Sequence, residues 1–269
     1  MCKLCKTSFC INHKKKLPPL WISHIDGLPF RKIANQYSLS PMQAFRQVEE
    51  EMNLLPPNEW ITGRFCERFC GILNIDGKFV KVRGYEKKIV FIYAMDYLTH
   101  DIVASVLAVG ESYEAFTKLF NILKEINYIP KVVVSDETQA LPLALNRVFP
   151  RCFQQLCHTH YIENIRVLLR IRTEEKYRSF FNEIVQIFKP HLSLEHRSFV
   201  LSSLEDKYTH DFLITNIIKD ICEKYLFLFQ FEKIPNCPKS NNIIEAFNSH
   251  LQGRLKTIKG FESFRGAER

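Results

Sequence analysis

Between residues 71 and 110 the chain alternates short apolar runs with charged or glycine-containing stretches. The three runs read "GILNIDGKFVKV", "IVFIYAMDYLT" and "IVASVLAVG". Runs of this length, rich in Val, Ile and Phe, are typical of β-strands. Because the stretches between them are short, we expect the three strands to form an antiparallel meander.

The apolar spacing then changes to a helical period. Residues 112–127 place five apolar side chains on one side of a helix: Tyr113, Phe116, Leu119, Phe120 and Leu123. A short, continuously apolar strand, "KVVVS", follows, as is typical of a buried parallel position. A second helix, interrupted or shifted by Pro142, precedes a last strand, "CFQQLC". The order βββαβαβ predicts an α/β protein with a mixed sheet and helices on its faces, which is the order of the ribonuclease-H-like fold.

The segment before the sheet, residues 20–55, predicts three short helices. In the third, Ser40 is the N-cap, Pro41 suits the first helical position and Gln43 completes a capping box. Two short helices, a tight turn and a longer capped helix indicate a helix-turn-helix, whose last helix enters the major groove of DNA. The residues that would reach bases are Gln43, Arg46 and Gln47. An ordinary small helical subdomain is the alternative, and the following "LLPPNEW" is interpreted as a linker.

The segment after the sheet, residues 160–235, is helical throughout and crowded with aromatic residues. "EKIPNCPKS" interrupts it, and a last helix begins in "SNNIIEAFNSHLQGRLKTIKGF". Five parts are therefore predicted: a Cys/His/Lys-rich tip (1–19), a helix-turn-helix domain (20–58), a ribonuclease-H-like core (70–159), an all-α insertion (160–236) and a closing helix (237–269).

Composition and charge narrow the class of protein. Apolar residues make up 46% of the 269 residues, and the formal charge is +8 with a pI near 9.0. That balance allows a substantial core and suits a nucleic acid or another anionic surface. No apolar run is long enough to span a membrane, and the N-terminus has no apolar signal core. Nine cysteines, an odd number, fit a reducing cytosol better than a disulfide framework. We therefore expect a cytoplasmic, nucleoid-associated protein without a membrane partner.

The N-terminal tip carries four candidate zinc ligands, spaced Cys2-x2-Cys5-x4-Cys10-x2-His13. A structural Zn²⁺ site takes four ligands of these types in a tetrahedron. A single CxxC is a weak signal, however, so free thiols on a mobile chain end are an equal alternative.

Three carboxylates stand out by their positions. Asp76 lies inside a strand, where Asp is disfavoured. Asp136 directly follows "KVVVS", and open α/β sheets bind ligands at the carboxyl ends of their strands. Glu245 lies off the apolar stripe of the closing helix. Each also has a structural explanation: a solvent-facing strand side for Asp76, a helix N-cap for Asp136 and a capping box with Asn242 for Glu245.

Together these carboxylates indicate a metal site. The predicted topology makes the strands of Asp76 and Asp136 neighbours, and a carboxylate pair repels unless a cation neutralises it. Oxygen ligands suit Mg²⁺ or Mn²⁺, and two such ions can activate a water or a 3′-hydroxyl for attack on a phosphodiester. Glu245 would complete the site. Asp96 and Asp101 rank below Asp76 because they flank a turn, where water can solvate them.

Four stretches, in this order, resemble the Mutator-type DDE transposases of prokaryotic insertion sequences: "NIDGKFVKV", "VVVSDET", "QLCHTH" and "SNNIIEAFNSHLQGRLKTIKGF". The resemblance covers roughly residues 20–269 and implies that Asp76, Asp136 and Glu245 form the catalytic triad. They are 60 and 109 residues apart, and the longer gap matches the family's helical insertion. Cys157 and His160 match a Cys-x2-His signature of the family, with either a structural role or metal ligation.

The resemblance implies a DNA transposase. Two Mg²⁺ or Mn²⁺ ions held by the triad would serve the hydrolysis of a phosphodiester at an element end and the attack of the freed 3′-hydroxyl on target DNA. The helix-turn-helix would recognise the terminal repeats in double-stranded DNA, and a homodimer or larger assembly would join two ends. Three basic residues after the closing Glu would hold DNA phosphates: Arg254, Lys256 and Lys259.

Two departures from the family pattern leave another function open. The chain stops at "FESFRGAER", where further helix is expected, and "CKLCKTSF" resembles only the second half of a zinc ribbon. A truncated, catalytically inactive copy that binds element ends as a repressor is therefore the alternative. A cellular ribonuclease-H-like nuclease is a second, which the helix-turn-helix and the long insertion disfavour.

Overall fold

The computed structural model describes residues 17–65, 69–258 and 260–268, and these residues divide into two compact units. The smaller unit contains residues 17–56 and 256–258, and the larger unit contains residues 57–255 and 260–268. The four candidate zinc ligands of the N-terminal tip lie outside the described residues.

Three helices build the smaller unit, as predicted: α1 (Leu20–Ile25), α2 (Phe30–Tyr37) and α3 (Pro41–Asn53). Gly27, with a φ of 89°, lets the chain turn after α1. Ser40 Oγ accepts the N–H of Gln43 and Gln43 Oε1 accepts the N–H of Ser40, so the predicted capping box is present. The helices pack around a small apolar core: Leu20, Ile33, Ala34, Ala44 and Val48.

The interpretation of "LLPPNEW" as a linker is wrong in its second half. Helix α4 (Asn58–Phe65) begins directly after the two prolines. Asn58 Nδ2 donates to the carbonyl oxygen of Ile102 at 2.7 Å, which ties α4 to the sheet of the larger unit. The prolines conceal this helix in the sequence, although a proline is well tolerated at a helix start.

Five strands form one mixed sheet: β1 (Ile72–Val80), β2 (Ile89–Asp96), β3 (Ile102–Ala108), β4 (Val132–Ser135) and β5 (Phe153–Leu156). Their order in the sheet is β3-β2-β1-β4-β5. The first three strands are antiparallel, and β4 and β5 run parallel to β1. With α5 (Tyr113–Glu125) and α6 (Ala140–Val148) the chain order is βββαβαβ, which confirms the predicted ribonuclease-H-like fold.

One face of the sheet packs on α5 and α6. The apolar side of α5 is buried there as predicted, with Phe116, Leu119 and Phe120 in the core, whereas Tyr113 is exposed. Pro142 does not interrupt α6, because it falls in the first turn, where proline costs no hydrogen bond within the helix.

The segment after β5 is helical, as predicted, and has an apolar core of its own. Its α-helices are α7 (His158–Leu168), α8 (Arg178–Ile184), α9 (Leu194–Lys207), α10 (Phe212–Glu223) and α11 (Tyr225–Leu228). Gln155 of β5 ties this insertion to the sheet. Its Nε2 donates to the carbonyl oxygen of Leu228 at 2.8 Å, and its Oε1 accepts the N–H of Phe231 at 2.8 Å.

Helix α12 (Asn242–Ile258) packs on the other face of the sheet, and α13 (Phe264–Glu268) follows it. Ile244 of α12 packs with Tyr93 and Met95 of β2. Those two side chains point away from the α5 face, because successive strand residues alternate between faces. Among the helices described, none is long and apolar enough to cross a membrane.

Candidate active site

Strands β1 and β4 bring Asp76 and Asp136 side by side. The two strands are parallel, and Ile75 of β1 lies opposite Ser135, the last residue of β4. Asp76 directly follows Ile75 and Asp136 directly follows Ser135. Both therefore lie at the edge where open α/β sheets hold their ligands. Asp136 does not cap a helix, because α6 begins only at Ala140, so the N-cap alternative is wrong.

Asp76 faces α12 rather than solvent. Its Oδ1 accepts the N–H of Gly77 at 2.7 Å, and its Oδ2 accepts a hydrogen bond from Asn248 Nδ2. Asn248 is itself held by Tyr93, whose hydroxyl donates to Asn248 Oδ1 at 2.7 Å. Burial raises the pKa of the Asp76 carboxyl and repulsion from Asp136 raises it further, against the two hydrogen bonds. A negative charge on Asp76 is therefore held in place but only partly compensated.

His160 lies between the other two predicted catalytic carboxylates. Its Nδ1 is 2.6 Å from Asp136 Oδ1 and 3.9 Å from Glu245 Oε1. Cys157 Sγ is a further contact of the same nitrogen, at 3.3 Å. The hydrogen bond with Asp136, followed by that with Cys157, raises the pKa of His160 to about 11. The imidazolium thus supplies a positive charge where Asp136 and Glu245 converge.

Asn241, which is fully buried, fixes the start of α12. Its Nδ2 donates to the carbonyl oxygen of Ile75 at 2.8 Å, and its Oδ1 accepts from Asn74 Nδ2 at 2.5 Å. The N–H of Glu245 donates to the carbonyl oxygen of Asn241 at 3.2 Å. These bonds tie the first turn of α12 to β1 and so set the position of Glu245.

The capping-box alternative for Glu245 is wrong, because Asn242 is already the first residue of α12 and does not precede it. Glu245 Oε1 is buried and accepts no hydrogen bond from the residues that the structure describes. A buried carboxylate oxygen without a donor is costly unless a cation compensates it. The fold therefore fixes the position of the Glu245 carboxylate, which serves neither as a helix cap nor as part of a capping box.

One carboxylate of the site was missed in the sequence. Glu111 precedes α5, lines a cavity of about 250 Å³ together with Asp76 and Asp136, and is partly exposed. Burial raises the pKa of its carboxyl, and the charges of Asp76 and Asp136 raise it further. A Cβ on Gly77 would lie 2.3 Å from Glu111 Oε1. A glycine inside a strand marks such a close approach, so Gly77 was the available signal.

The donor set fits divalent metal ions. Asp76, Asp136 and Glu245 offer carboxylate oxygens, the ligands that Mg²⁺ and Mn²⁺ prefer. Bound cations would relieve the repulsion between Asp76 and Asp136 and would supply a partner for the unpaired Glu245 oxygen.

Asp96 and Asp101, the competing carboxylates, differ from each other. Asp101 is exposed in a turn, as predicted. Asp96 is fully buried, so the expectation that water solvates it is wrong. Its oxygens accept hydrogen bonds from four N–H and O–H donors, the N–H groups of Cys70, Leu98 and Thr99 and the hydroxyl of Tyr128, and the thiol of Cys70 is a fifth donor at 3.4 Å. Asp96 is a structural carboxylate for this reason.

The predicted DNA-contacting residues are exposed wherever their side chains are described. Gln43, Arg46 and Gln47 lie on the surface of α3, opposite the buried Ala44 and Val48. Gln43 also serves the capping box through its Oε1, which leaves its amide nitrogen and one lone pair of Oε1 for another partner. Lys256 is exposed in the last turn of α12. Arg254 lies two residues before it in the same helix, and Lys259 lies outside the described residues.

Comparison with known proteins gives one clear match. The family model described as "Transposase, Mutator family" matches residues 43–269. No curated protein sequence is significantly similar to the chain.

Several solved structures are distantly similar. The Drosophila P element transposase in a strand transfer complex is 12% identical, with 89% of each chain covered and a TM-score of 0.42. The HTLV-2 integrase catalytic core domain in complex with magnesium is 15% identical, covering 50% of this chain and 84% of the other, with a TM-score of 0.26. At TM-scores this low, these likenesses add nothing to the family match and the sheet topology.

Proposed function

The chain belongs to the Mutator family of transposases, and on that premise we propose that it cuts DNA at the ends of a mobile element and joins the freed ends to target DNA. The chemistry is hydrolysis of a phosphodiester, in which water attacks phosphorus and the 3′-oxygen leaves. Strand transfer then repeats the displacement with that 3′-hydroxyl as the attacking group.

The observation that carries this proposal is the convergence of Asp76, Asp136 and Glu245 at one edge of the sheet. Their carboxylates come from β1, the end of β4 and the first turn of α12, and Glu245 Oε1 accepts no hydrogen bond from the residues that the structure describes. Asp76, Asp136 and Glu245 would hold two Mg²⁺ or Mn²⁺ ions, which, when bound, activate the attacking oxygen and stabilise the leaving one.

The other polar residues of the site orient these carboxylates. Asn248 directs the Asp76 carboxylate and is itself fixed by Tyr93. Asn241 holds the first turn of α12 against β1 and so sets the position of Glu245. Such supporting contacts matter because a metal ligand acts only when its geometry is fixed.

DNA would be held mainly through its phosphates. The exposed face of α3, with Gln43, Arg46 and Gln47, is suited to reading the terminal repeats in the major groove. The basic segment from Arg254 to Lys259 would contact phosphates, so binding should weaken steeply as salt rises. Joining two element ends calls for at least two copies of the chain.

A nicking and joining assay tests the proposal. DNA that carries the flanking ends of the element is incubated with the protein and Mg²⁺, and nicked and joined strands are counted. We expect Asp136→Asn to abolish both products, whereas the same change in the exposed turn, Asp101→Asn, leaves them intact. If Asp136→Asn folds and nicks as well as wild type, the catalytic assignment is wrong. If wild type binds the ends without nicking them, the repressor alternative is correct.

A further inference from the structure

Cys157 and His160 are not explained by the proposed chemistry, although both adjoin its carboxylates. Cys157 immediately precedes α7 and His160 lies in its first turn. Asp136, from the end of β4, faces the same point. One ligand atom from each residue, Sγ, Nδ1 and a carboxylate oxygen, lies within 4.8 Å of both others.

These three atoms are held by rigid elements. The N–H of Cys157 donates to the carbonyl oxygen of Ser135 at 2.9 Å, which joins the ends of β4 and β5. Cys157 Sγ is buried and accepts the N–H of Asn241 at 3.3 Å. The sulfur is therefore fixed between the sheet and α12, and its free side faces His160 and Asp136.

The spacing of the atoms is close to that of a metal coordination shell. Bonds of about 2.0–2.3 Å to nitrogen, oxygen and sulfur put neighbouring ligands of a tetrahedral ion roughly 3.2–3.8 Å apart. Nδ1 is 3.3 Å from Sγ and 2.6 Å from Asp136 Oδ1, so the second pair must open, and Sγ and the Asp136 oxygen lie within 4.8 Å of each other. Glu245 Oε1, buried and without a donor in the described part of the chain, is 3.9 Å from Nδ1 and borders the fourth position.

The ligand types select the metal. Mg²⁺ takes oxygen ligands, whereas a thiolate and an imidazole with one carboxylate are the ligands of Zn²⁺ and of Co²⁺, its spectroscopic substitute. The Cys-x2-His spacing at the start of a helix brings both soft ligands to one point. Binding would release the protons of Sγ and Nδ1 to solvent.

We propose that Cys157, His160 and Asp136 form a binding site for a zinc-class divalent cation, separate in its ligand set from the Mg²⁺ or Mn²⁺ positions but sharing Asp136 with them. A Zn²⁺ ion bound at this site would occupy Asp136, so that Asp136 could no longer bind Mg²⁺ or Mn²⁺. The site can be measured without DNA and does not depend on the nuclease activity.

Cobalt titration of the full chain tests the proposal. The parent protein carries Cys2→Ser, Cys5→Ser and Cys10→Ser, so that the N-terminal cysteines cannot bind the probe. We expect one equivalent of Co²⁺ to give tetrahedral visible bands with a thiolate charge-transfer band, and Zn²⁺ to displace it. Cys157→Ser should remove the charge-transfer band. The matched control Cys222→Ser, an exposed thiol of α10, should keep the spectrum of the parent.

His160→Asn provides a second variant at a partly exposed position, and its Co²⁺ affinity should fall at least tenfold. The absence of a thiolate band in the parent, or its survival in Cys157→Ser, would overturn the site. Loss of the band with Mg²⁺-dependent nicking intact refutes this inference alone. An intact band without any nicking refutes the proposed function alone.

Discussion

The fully buried Asp96 and the half-buried carboxylates around Asp76 and Asp136 belong to neighbouring strands of one sheet but differ in how they are paired. Asp96, at the end of β2, is fully buried and accepts hydrogen bonds from four N–H and O–H donors between 2.8 and 3.1 Å. Three are backbone N–H groups and the fourth is the hydroxyl of Tyr128. This carboxylate is paired within the chain and needs nothing from outside.

The carboxylates near the carboxyl end of β4 are less completely compensated than Asp96. Asp76 and Asp136 repel each other, Glu111 adds a further charge, and Glu245 Oε1 has no hydrogen-bond donor among the described residues. His160 supplies one positive charge for the whole group. The difference teaches that burial alone does not mark a candidate functional carboxylate, whereas like-charge repulsion and an unpaired oxygen together do.

The largest effect on stability is expected at Asp96. Asp96→Ala leaves the buried hydroxyl of Tyr128 and three part-buried N–H groups without their acceptor, and an unsatisfied buried donor costs about 1–3 kcal/mol. We expect the free energy of unfolding to fall by at least about 3 kcal/mol in urea denaturation. Asp101→Ala, in the adjacent exposed turn, should stay within about 0.5 kcal/mol of wild type. A loss below about 1 kcal/mol for Asp96→Ala would remove the contrast between the two groups.

A smaller effect, on activity rather than stability, is expected at Asn248. Asn248→Ala removes the donor that orients Asp76, and changes next to metal ligands typically cost about 10–100-fold. We expect nicking to fall within that range, with a higher Mg²⁺ concentration needed for half-maximal rate. Tyr93→Phe acts through Asn248 and should have the same effect in weaker form. An unchanged Mg²⁺ dependence in Asn248→Ala would show that Asn248 does not position a metal ligand.

The smallest effect is expected from His160 in the absence of metal. Its folded-state pKa is raised to about 11 by Asp136, and its unfolded value is about 6.5. The stability that the ion pair contributes is therefore complete below about pH 6.5 and is lost as pH rises towards 11. Urea denaturation in EDTA should show wild type exceeding His160→Gln most at pH 6 and progressively less at pH 8 and 9.5. A difference that grows with pH would contradict the raised pKa.

Local patterns in the sequence predicted most of the fold. The short apolar run "GILNIDGKFVKV" and the helical period from Tyr113 to Leu123 predicted β1 and α5. The chain order βββαβαβ then sufficed to place Asp76 beside Asp136, because their strands are neighbours in that topology. Helix α4 was missed because the two prolines before Asn58 resemble a linker more than a helix start.

Features that depend on distant partners could not be predicted. The donors to Asp96 include Cys70 and Tyr128, which lie 26 and 32 residues away, so a turn residue gave no sign of burial. Glu111 reads as an ordinary residue before a helix until its approach to Gly77 is seen. The contact of His160 with Asp136 likewise arises only when β4 and β5 pair in parallel.

The central claim is that the carboxylates around β4 bind divalent cations, whereas Asp96 is paired within the chain. Thermal unfolding of the metal-free protein with and without Mn²⁺ tests this most directly. At an Mn²⁺ concentration about 100 times its Kd, binding stabilises the folded state by about 2.7 kcal/mol. In a chain of this size that should raise Tm by roughly 5–10 °C.

The same measurement on two variants isolates the site. Asp101→Asn should show the full rise in Tm. Asp136→Asn should show little or none, because it loses a carboxylate that we propose as a ligand of the Mn²⁺ ions. The account predicts a large Mn²⁺ shift in wild type that disappears in Asp136→Asn. A wild-type Tm that Mn²⁺ does not change, or an equal shift in Asp136→Asn, would contradict it.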